Sequence, residues 1–120
     1  MAEITAAGYQ LVRDLIESSA GFNFIELQKA DGTPWERLQV DTDVRCVWTT
    51  LPDGQTLELT VTISGDDIDI TLPQELGKSE LYENAVGGSA LSSETFSATT
   101  LENENDEVVV KHRVQVPQVV

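Results

Sequence analysis

A change of hydrophobic period at Phe22 constrains the fold of this chain more than any other feature. Before Phe22, apolar residues recur every three or four positions; after it, they alternate with polar residues, among which Thr is frequent. The first period is typical of an amphipathic helix and the second of half-buried strands. The sequence therefore predicts an α+β, mostly β fold: an antiparallel sheet or sandwich of about six to eight strands with one N-terminal helix packed on it.

The helix is predicted over residues 4–19. Thr5 can cap its start through the side-chain hydroxyl, and Gly21 follows its end. Gly8 weakens an isolated helix, which suggests a close approach to a neighbouring strand. The apolar residues of this helix that we expect in the core are Leu11, Leu15 and Ile16.

Seven strands are predicted from the alternating pattern after the helix. Leu51-Pro52-Asp53-Gly54 is typical of a tight hairpin, because Pro fixes the second turn position and Gly accepts a positive φ. The segment that opens at Trp35 has no clear period. We expect a single domain over residues 1–120. The predicted strands cover residues 22–29, 43–50, 55–64, 67–72, 78–83, 90–97 and 107–116, and their expected core residues are Leu59, Val61, Val110 and Val114.

The charge of the chain limits its partners. With 21 acidic and 7 basic residues the formal net charge is −14, which disfavours binding to nucleic acid and to anionic membrane surfaces. The acidity favours solubility at high concentration or docking onto a basic partner. Cys46 is the only cysteine and is expected to be a buried, small apolar side chain. Neither a signal peptide nor a membrane span is evident, so we expect a cytosolic protein unless it leaves in a larger particle.

No residue pattern predicts catalysis. His112 is the only histidine, and it lies among valines of the last strand, which favours a hydrogen-bonded core histidine over a general base. Asp66, Asp67 and Asp69, or the carboxylates of residues 102–107, could gather calcium, but neither group has the spacing of a calcium loop. Solvated acidic loops are the favoured interpretation. We predict that the protein is not an enzyme and has no cofactor or metal.

The aromatic residues leave an alternative open. Trp48 alternates in phase with Cys46 and is expected in the core, whereas Trp35 is the better candidate for exposure. An exposed aromatic face can stack on sugar rings. A small carbohydrate-binding β-domain, in which Trp35 and Tyr82 face a glycan, is therefore one alternative function.

A family resemblance goes further than the residue patterns. The opening Ile4-Thr5-Ala6-Ala7-Gly8, followed by Leu11-Val12 and by Phe24-Ile25, resembles the start of bacteriophage tail-fibre and tail-collar attachment domains. Later segments are similar to the same family in the same order, so the likeness covers most of the chain. These later segments are Glu80-Leu81-Tyr82-Glu83, Phe96, and Asp106-Glu107-Val108 with Val110.

The resemblance implies a structural virion protein of a tailed bacteriophage. Such a protein is a tail or baseplate adaptor that anchors a fibre or a neighbouring ring protein through protein–protein contacts. Its partners would be other tail, baseplate and fibre proteins, with a homo-oligomer in the assembly, located in the virion tail after assembly in the host cytoplasm. A capsid decoration protein is a further alternative. Because the chain stops soon after Val116, we expect a separate small subunit rather than a receptor-binding fibre.

Interface residues are predicted where no internal packing role is evident. Thr56, Thr60 and Thr62 could also pair with a strand of another chain if their strand lies at a sheet edge. The candidate interface comprises the hairpin tip, the acidic loop and the C-terminal valines: Pro52, Asp53, Gly54, Glu102, Asn103, Glu104, Val119 and Val120.

Overall fold

The computed structural model describes residues 2–116, which form one helix and seven strands in two antiparallel sheets. This confirms the predicted α+β, mostly β fold. The elements are α1 (Ala6–Glu17), β1 (Phe24–Gln28), β2 (Pro34–Gln39), β3 (Cys46–Thr50), β4 (Thr56–Ser64), β5 (Gln74–Tyr82), β6 (Ser92–Leu101) and β7 (Glu107–Gln115). Sheet A has the strand order β2-β1-β5-β6, and sheet B has the order β3-β4-β7.

The inner faces of the two sheets enclose one hydrophobic core. Leu59, Val61 and Val110 are buried in it as predicted, and Val114 is partly buried against it. Cys46 is also buried, and this burial raises the pKa of its thiol to about 12, so the thiol stays neutral. Alternation of apolar residues along the strands therefore identifies the core of sheet B. Sheet A contributes Ile25, Leu27, Leu38, Leu76, Leu81 and Leu101.

Two strand predictions fail. Residues 67–72 do not form a strand. The backbone turns twice here, since the Asp67 amide donates to the Ser64 carbonyl and the Ile70 amide to the Asp67 carbonyl. The carboxylates of Asp67 and Asp69 bond to Arg45. Pro34–Gln39 does form a strand, β2, that the sequence pattern does not reveal. It is an edge strand with only one buried residue, so it lacks the alternation of a strand that packs along its whole length.

Strand β4 is the central strand of sheet B, with β3 on one side and β7 on the other. The prediction that Thr56, Thr60 and Thr62 offer an edge to another chain is therefore wrong. Their backbone groups already pair with those neighbours, and Thr56 is buried. Within residues 2–116, the edge strands are β2 and β6 in sheet A and β3 and β7 in sheet B.

His112 joins the two sheets. From β7 it extends into the core, where it is fully buried. Its Nδ1 lies 2.7 Å from Oγ of Ser79 on β5, and its Nε2 lies 2.8 Å from Oγ of Ser92 on β6. Both ring nitrogens thus have partners in sheet A, which confirms the prediction of a hydrogen-bonded core histidine. Burial holds the pKa of His112 below its ordinary value of 6.5, against the opposing pull of Glu94 and Glu80.

The free energy of unfolding is expected to depend on pH through His112. The unfolded chain binds the proton at a higher pH than the folded chain, so stability is lost as the pH falls below about 6.5. Between about pH 7.5 and 5.5 the wild type should lose more stability than His112→Gln, by at most about 1.4 kcal/mol per pH unit. Urea unfolding at both pH values measures the difference. If the free energy of unfolding changed equally with pH in the two proteins, the pKa of His112 would be the same in the folded and the unfolded chain.

Candidate protein interaction surface

Helix α1 is held at the end of sheet B where β4 begins and β7 ends. Thr5 caps the helix, accepting a hydrogen bond from the Gly8 amide at 3.2 Å. On the inward side of the helix, Arg13 and Ile16 are buried. Nη1 of Arg13 donates to the carbonyl of Val116 at 3.4 Å, and Val116 is itself bonded to the residue just before β4.

The apolar face of α1 points to solvent. Leu11 is 69% exposed and Leu15 is 56% exposed, and Ile4 and Val12 are exposed as well. The prediction that Leu11 and Leu15 belong to the core is therefore wrong, whereas that for Ile16 is confirmed. With 3.6 residues per turn, Arg13 lies opposite the two leucines, and the helix packs through the arginine side.

Gly8 belongs to this exposed face and is covered by Ile4. A Cβ atom at Gly8 would lie 2.7 Å from Cγ2 of Ile4. The close approach predicted for Gly8 is therefore to the residue that precedes the helix, not to a strand. Gly8, Leu11 and Leu15 follow one another along α1, and Ile4, just before the helix, extends this line over Gly8; we term these four residues the α1 stripe.

The charges around the α1 stripe have one sign. Arg13 is the only basic residue among residues 1–21, and it is buried. The same segment carries three carboxylates, on Glu3, Asp14 and Glu17. The charges of this segment that reach solvent are thus acidic, and Asp14 lies beside the apolar residues.

Two exposed apolar side chains lie near the other end of β4. Val44 is 94% exposed and Ile68 is fully exposed, each on its own turn. Arg45 joins these turns: its guanidinium bonds to both carboxylate oxygens of Asp43 and of Asp69, and to Asp67 at 3.0 Å. The two exposed apolar side chains are therefore presented by turns that are fixed to each other.

The Arg45 cluster (Arg45, Asp43, Asp67 and Asp69) replaces the acidic loop predicted at residues 66–69. Hydrogen bonds from Arg45 hold the pKa of Asp43 below its ordinary value, and the three carboxylates raise the pKa of Arg45. Only Asp66 of the three aspartates proposed for this loop is fully exposed. Arg45 is 22 residues from Asp67 and 24 from Asp69 along the chain, so their pairing leaves no local signal in the sequence.

The predicted interface residues fall into separate places. Pro52, Asp53 and Gly54 form the exposed tip of the predicted hairpin, with φ of 71° at Gly54. This tip precedes β4, whereas the exposed Glu102–Glu104 segment precedes β7. Because β4 and β7 are antiparallel, the two loops lie at opposite ends of sheet B and cannot form one patch.

Both loops also have internal roles that the sequence pattern does not reveal. The carboxylate of Asp53 accepts hydrogen bonds from the Gln55 amide and from the amide and hydroxyl of Thr56, and these bonds lower its pKa. Asp106 likewise accepts from the amides of Glu102 and Asn103. Val119 and Val120 lie outside the described residues. Contact of these loops with a partner stays a prediction.

A polar network covers the outer face of sheet A. Glu26 pairs with Arg37 at 2.9 Å, and the amide of Gln28 donates to both Glu26 and Glu80 at 2.7 Å. Arg37 stacks over the ring of Tyr82, 3.6 Å from its centroid, and donates to two carbonyls of the loop that follows β5. The network therefore fixes this loop over the sheet.

Trp35 and Tyr82 do not form the exposed aromatic face that the glycan-binding alternative requires. Tyr82 is buried beneath Arg37, and Trp35 is partly buried and packs against the core, so the prediction of an exposed Trp35 is wrong. Trp48 packs against the core as predicted.

Comparisons with protein-family models, with curated proteins and with solved structures find no match for this chain. Within residues 2–116, no helix has both the length and the apolar character needed to cross a membrane. The same residues contain no cavity and no cluster of side chains arranged to hold a metal ion.

Proposed function

We propose that this protein is a structural subunit of a bacteriophage tail, an adaptor that contacts neighbouring tail, baseplate or fibre proteins. One observation carries the proposal: three apolar residues of the segment that resembles tail attachment domains are exposed, Ile4 just before α1 and Leu11 and Val12 on it. Apolar residues that the fold leaves in contiguous contact with water mark interaction sites. The resembling segment is thus available for contacts with another protein.

The exposure of Val44 and Ile68 supports an adaptor in particular. An adaptor must contact at least two neighbours. Helix α1 is held at the start of β4, and Val44 and Ile68 stand at its end, on turns fixed by the Arg45 cluster. Exposed apolar side chains at both ends of β4 suit a subunit that lies between two others.

Immunogold electron microscopy tests the proposal. Antibody against this chain is applied to intact particles of the phage that encodes it, and we expect gold confined to the tail or its tip. Gold over the head would contradict the proposal and favour a capsid decoration protein. Particles without label, when antibody against a known tail protein labels them under the same conditions, would contradict a virion location altogether.

A further inference from the structure

We infer that the α1 stripe binds a positively charged amphipathic helix of a different protein. The inference rests on the proposed function, since it names the chemistry of one neighbour that the adaptor contacts. It starts from the position of the stripe, a line of residues along one face of α1. A helix is the element that such a surface fits best.

The spacing of the stripe is that of helix pairing. Ile4, Gly8, Leu11 and Leu15 follow one another at intervals of four, three and four residues. This alternation is the a and d pattern of two helices that pack side by side. Ile4 fills the space over Gly8, so the surface offered to a partner helix is continuous.

Helix α1 is attached to sheet B through residues outside the stripe. The side chains that attach the helix to sheet B are Arg13 and Ile16. Neither belongs to the stripe, and Leu11 and Leu15 remain more than half exposed. A partner helix can therefore dock without displacing any part of the described chain.

Charge selects the class of partner. Asp14, three residues after Leu11, is exposed and gives the stripe an acidic border, and α1 has no exposed basic residue to balance it. Lys or Arg beside the apolar residues of a partner helix would complement this border.

A second copy of the chain is a poor occupant. It would bring the same acidic border and a further charge of −14 to the contact. Two such helices would repel each other at the flanking positions, and so would the two protomers as a whole. The homo-oligomer expected in the assembly would therefore use other surfaces.

Peptide binding to the full chain tests the inference. The probes are two fluorescent helical peptides of about three heptads, identical at their Leu core positions, with Lys at the flanking positions of one and Glu at those of the other. Anisotropy is measured at ~0.05 M and ~0.3 M salt. We expect the Lys peptide to bind, with weaker binding at the higher salt, and the Glu peptide not to bind.

Variants show whether the binding uses the stripe. Leu11→Gln combined with Leu15→Gln should weaken the Lys peptide by about tenfold or more. Val109→Gln, which changes an exposed valine on β7, should leave binding unchanged. Asp14→Lys should weaken binding of the Lys peptide and strengthen binding of the Glu peptide. All of these positions are exposed or half-exposed, and matching urea unfolding curves establish that the variants fold.

Several results would overturn the inference. They are no binding of the Lys peptide, equal binding of both peptides, or binding that survives the double leucine change. A dimer of the chain alone that dissociates on Leu11→Gln would assign the stripe to a second copy. Gold at the tail together with a failed peptide test would discard this inference and keep the proposed function, whereas peptide binding without gold on the particle would do the reverse.

Discussion

Leu59→Ala is expected to lower the free energy of unfolding by about 2 to 5 kcal/mol. Leu59 is completely buried, and it lies on the central strand of sheet B between Trp48 of β3 and His112 of β7. Removal of its side chain leaves a cavity that strands bonded on both sides cannot close. Urea unfolding followed by tryptophan fluorescence measures the loss.

Leu11→Ala is the matched control for this change. The same atoms are removed, but from a side chain that is mostly exposed, so the free energy of unfolding should change by no more than about 0.5 kcal/mol. If Leu11→Ala were as destabilising as Leu59→Ala, Leu11 would pack against its own chain. The α1 stripe would then be part of the core and not a docking surface.

This pair of leucines also shows where sequence reasoning succeeds. Along β4 and β7 the period of two settles the inward face, because a strand in the middle of a sandwich has one side for the core and one for solvent. The hairpin before β4 is equally predictable, because Pro fixes φ at the second turn position and Gly accepts a positive φ. Local pattern and tertiary contacts agree in these elements.

In α1 they disagree. The period of three to four correctly predicts a helix with an apolar face, but the inward side is decided by contacts that the pattern does not contain. Arg13, whose guanidinium reaches the Val116 carbonyl, takes the inward position. An arginine can bury its aliphatic stem while its charged end finds acceptors, so polarity alone does not place it outside.

The exposed apolar residues could not be predicted for the same reason. The hairpin tip and the acidic loop lack apolar residues with an evident packing role, which is why the sequence predicts them as an interface, yet hydrogen bonds accepted by Asp53 and Asp106 organise both turns. The exposed apolar surfaces became visible only when the fold left Leu11, Leu15 and Ile68 unburied.

Arg45→Ala is expected to have the second large effect. All five N–H donors of the guanidinium are bonded to carboxylates. Its removal leaves three negative charges close together in a protein that is already strongly acidic. The side chains are 19–27% exposed, so the expected loss is about 2 to 4 kcal/mol, rather less than for a fully buried pair.

The pH dependence distinguishes this cause from lost packing. In the wild type, Arg45 lowers the pKa of Asp43, so this carboxylate stabilises the fold above its ordinary pKa of 3.8, and that contribution is lost as the pH falls through the lower, folded-state value. In Arg45→Ala the three carboxylates repel one another, and protonation relieves the repulsion. The difference in stability between the two proteins should therefore shrink as the pH falls from about 7 to about 4.

Neutral side chains in the cluster should restore part of the stability that Arg45→Ala loses. Asp43→Asn with Asp69→Asn, added to Arg45→Ala, should recover part of the lost stability at pH 7, because only one carboxylate of the cluster then remains. Arg45→Lys should fall between Arg45→Ala and the wild type, since it restores the charge without the paired geometry. A loss below about 1 kcal/mol for Arg45→Ala would make the cluster an ordinary surface ion pair. The turns that carry Val44 and Ile68 would then owe their relative position to other contacts.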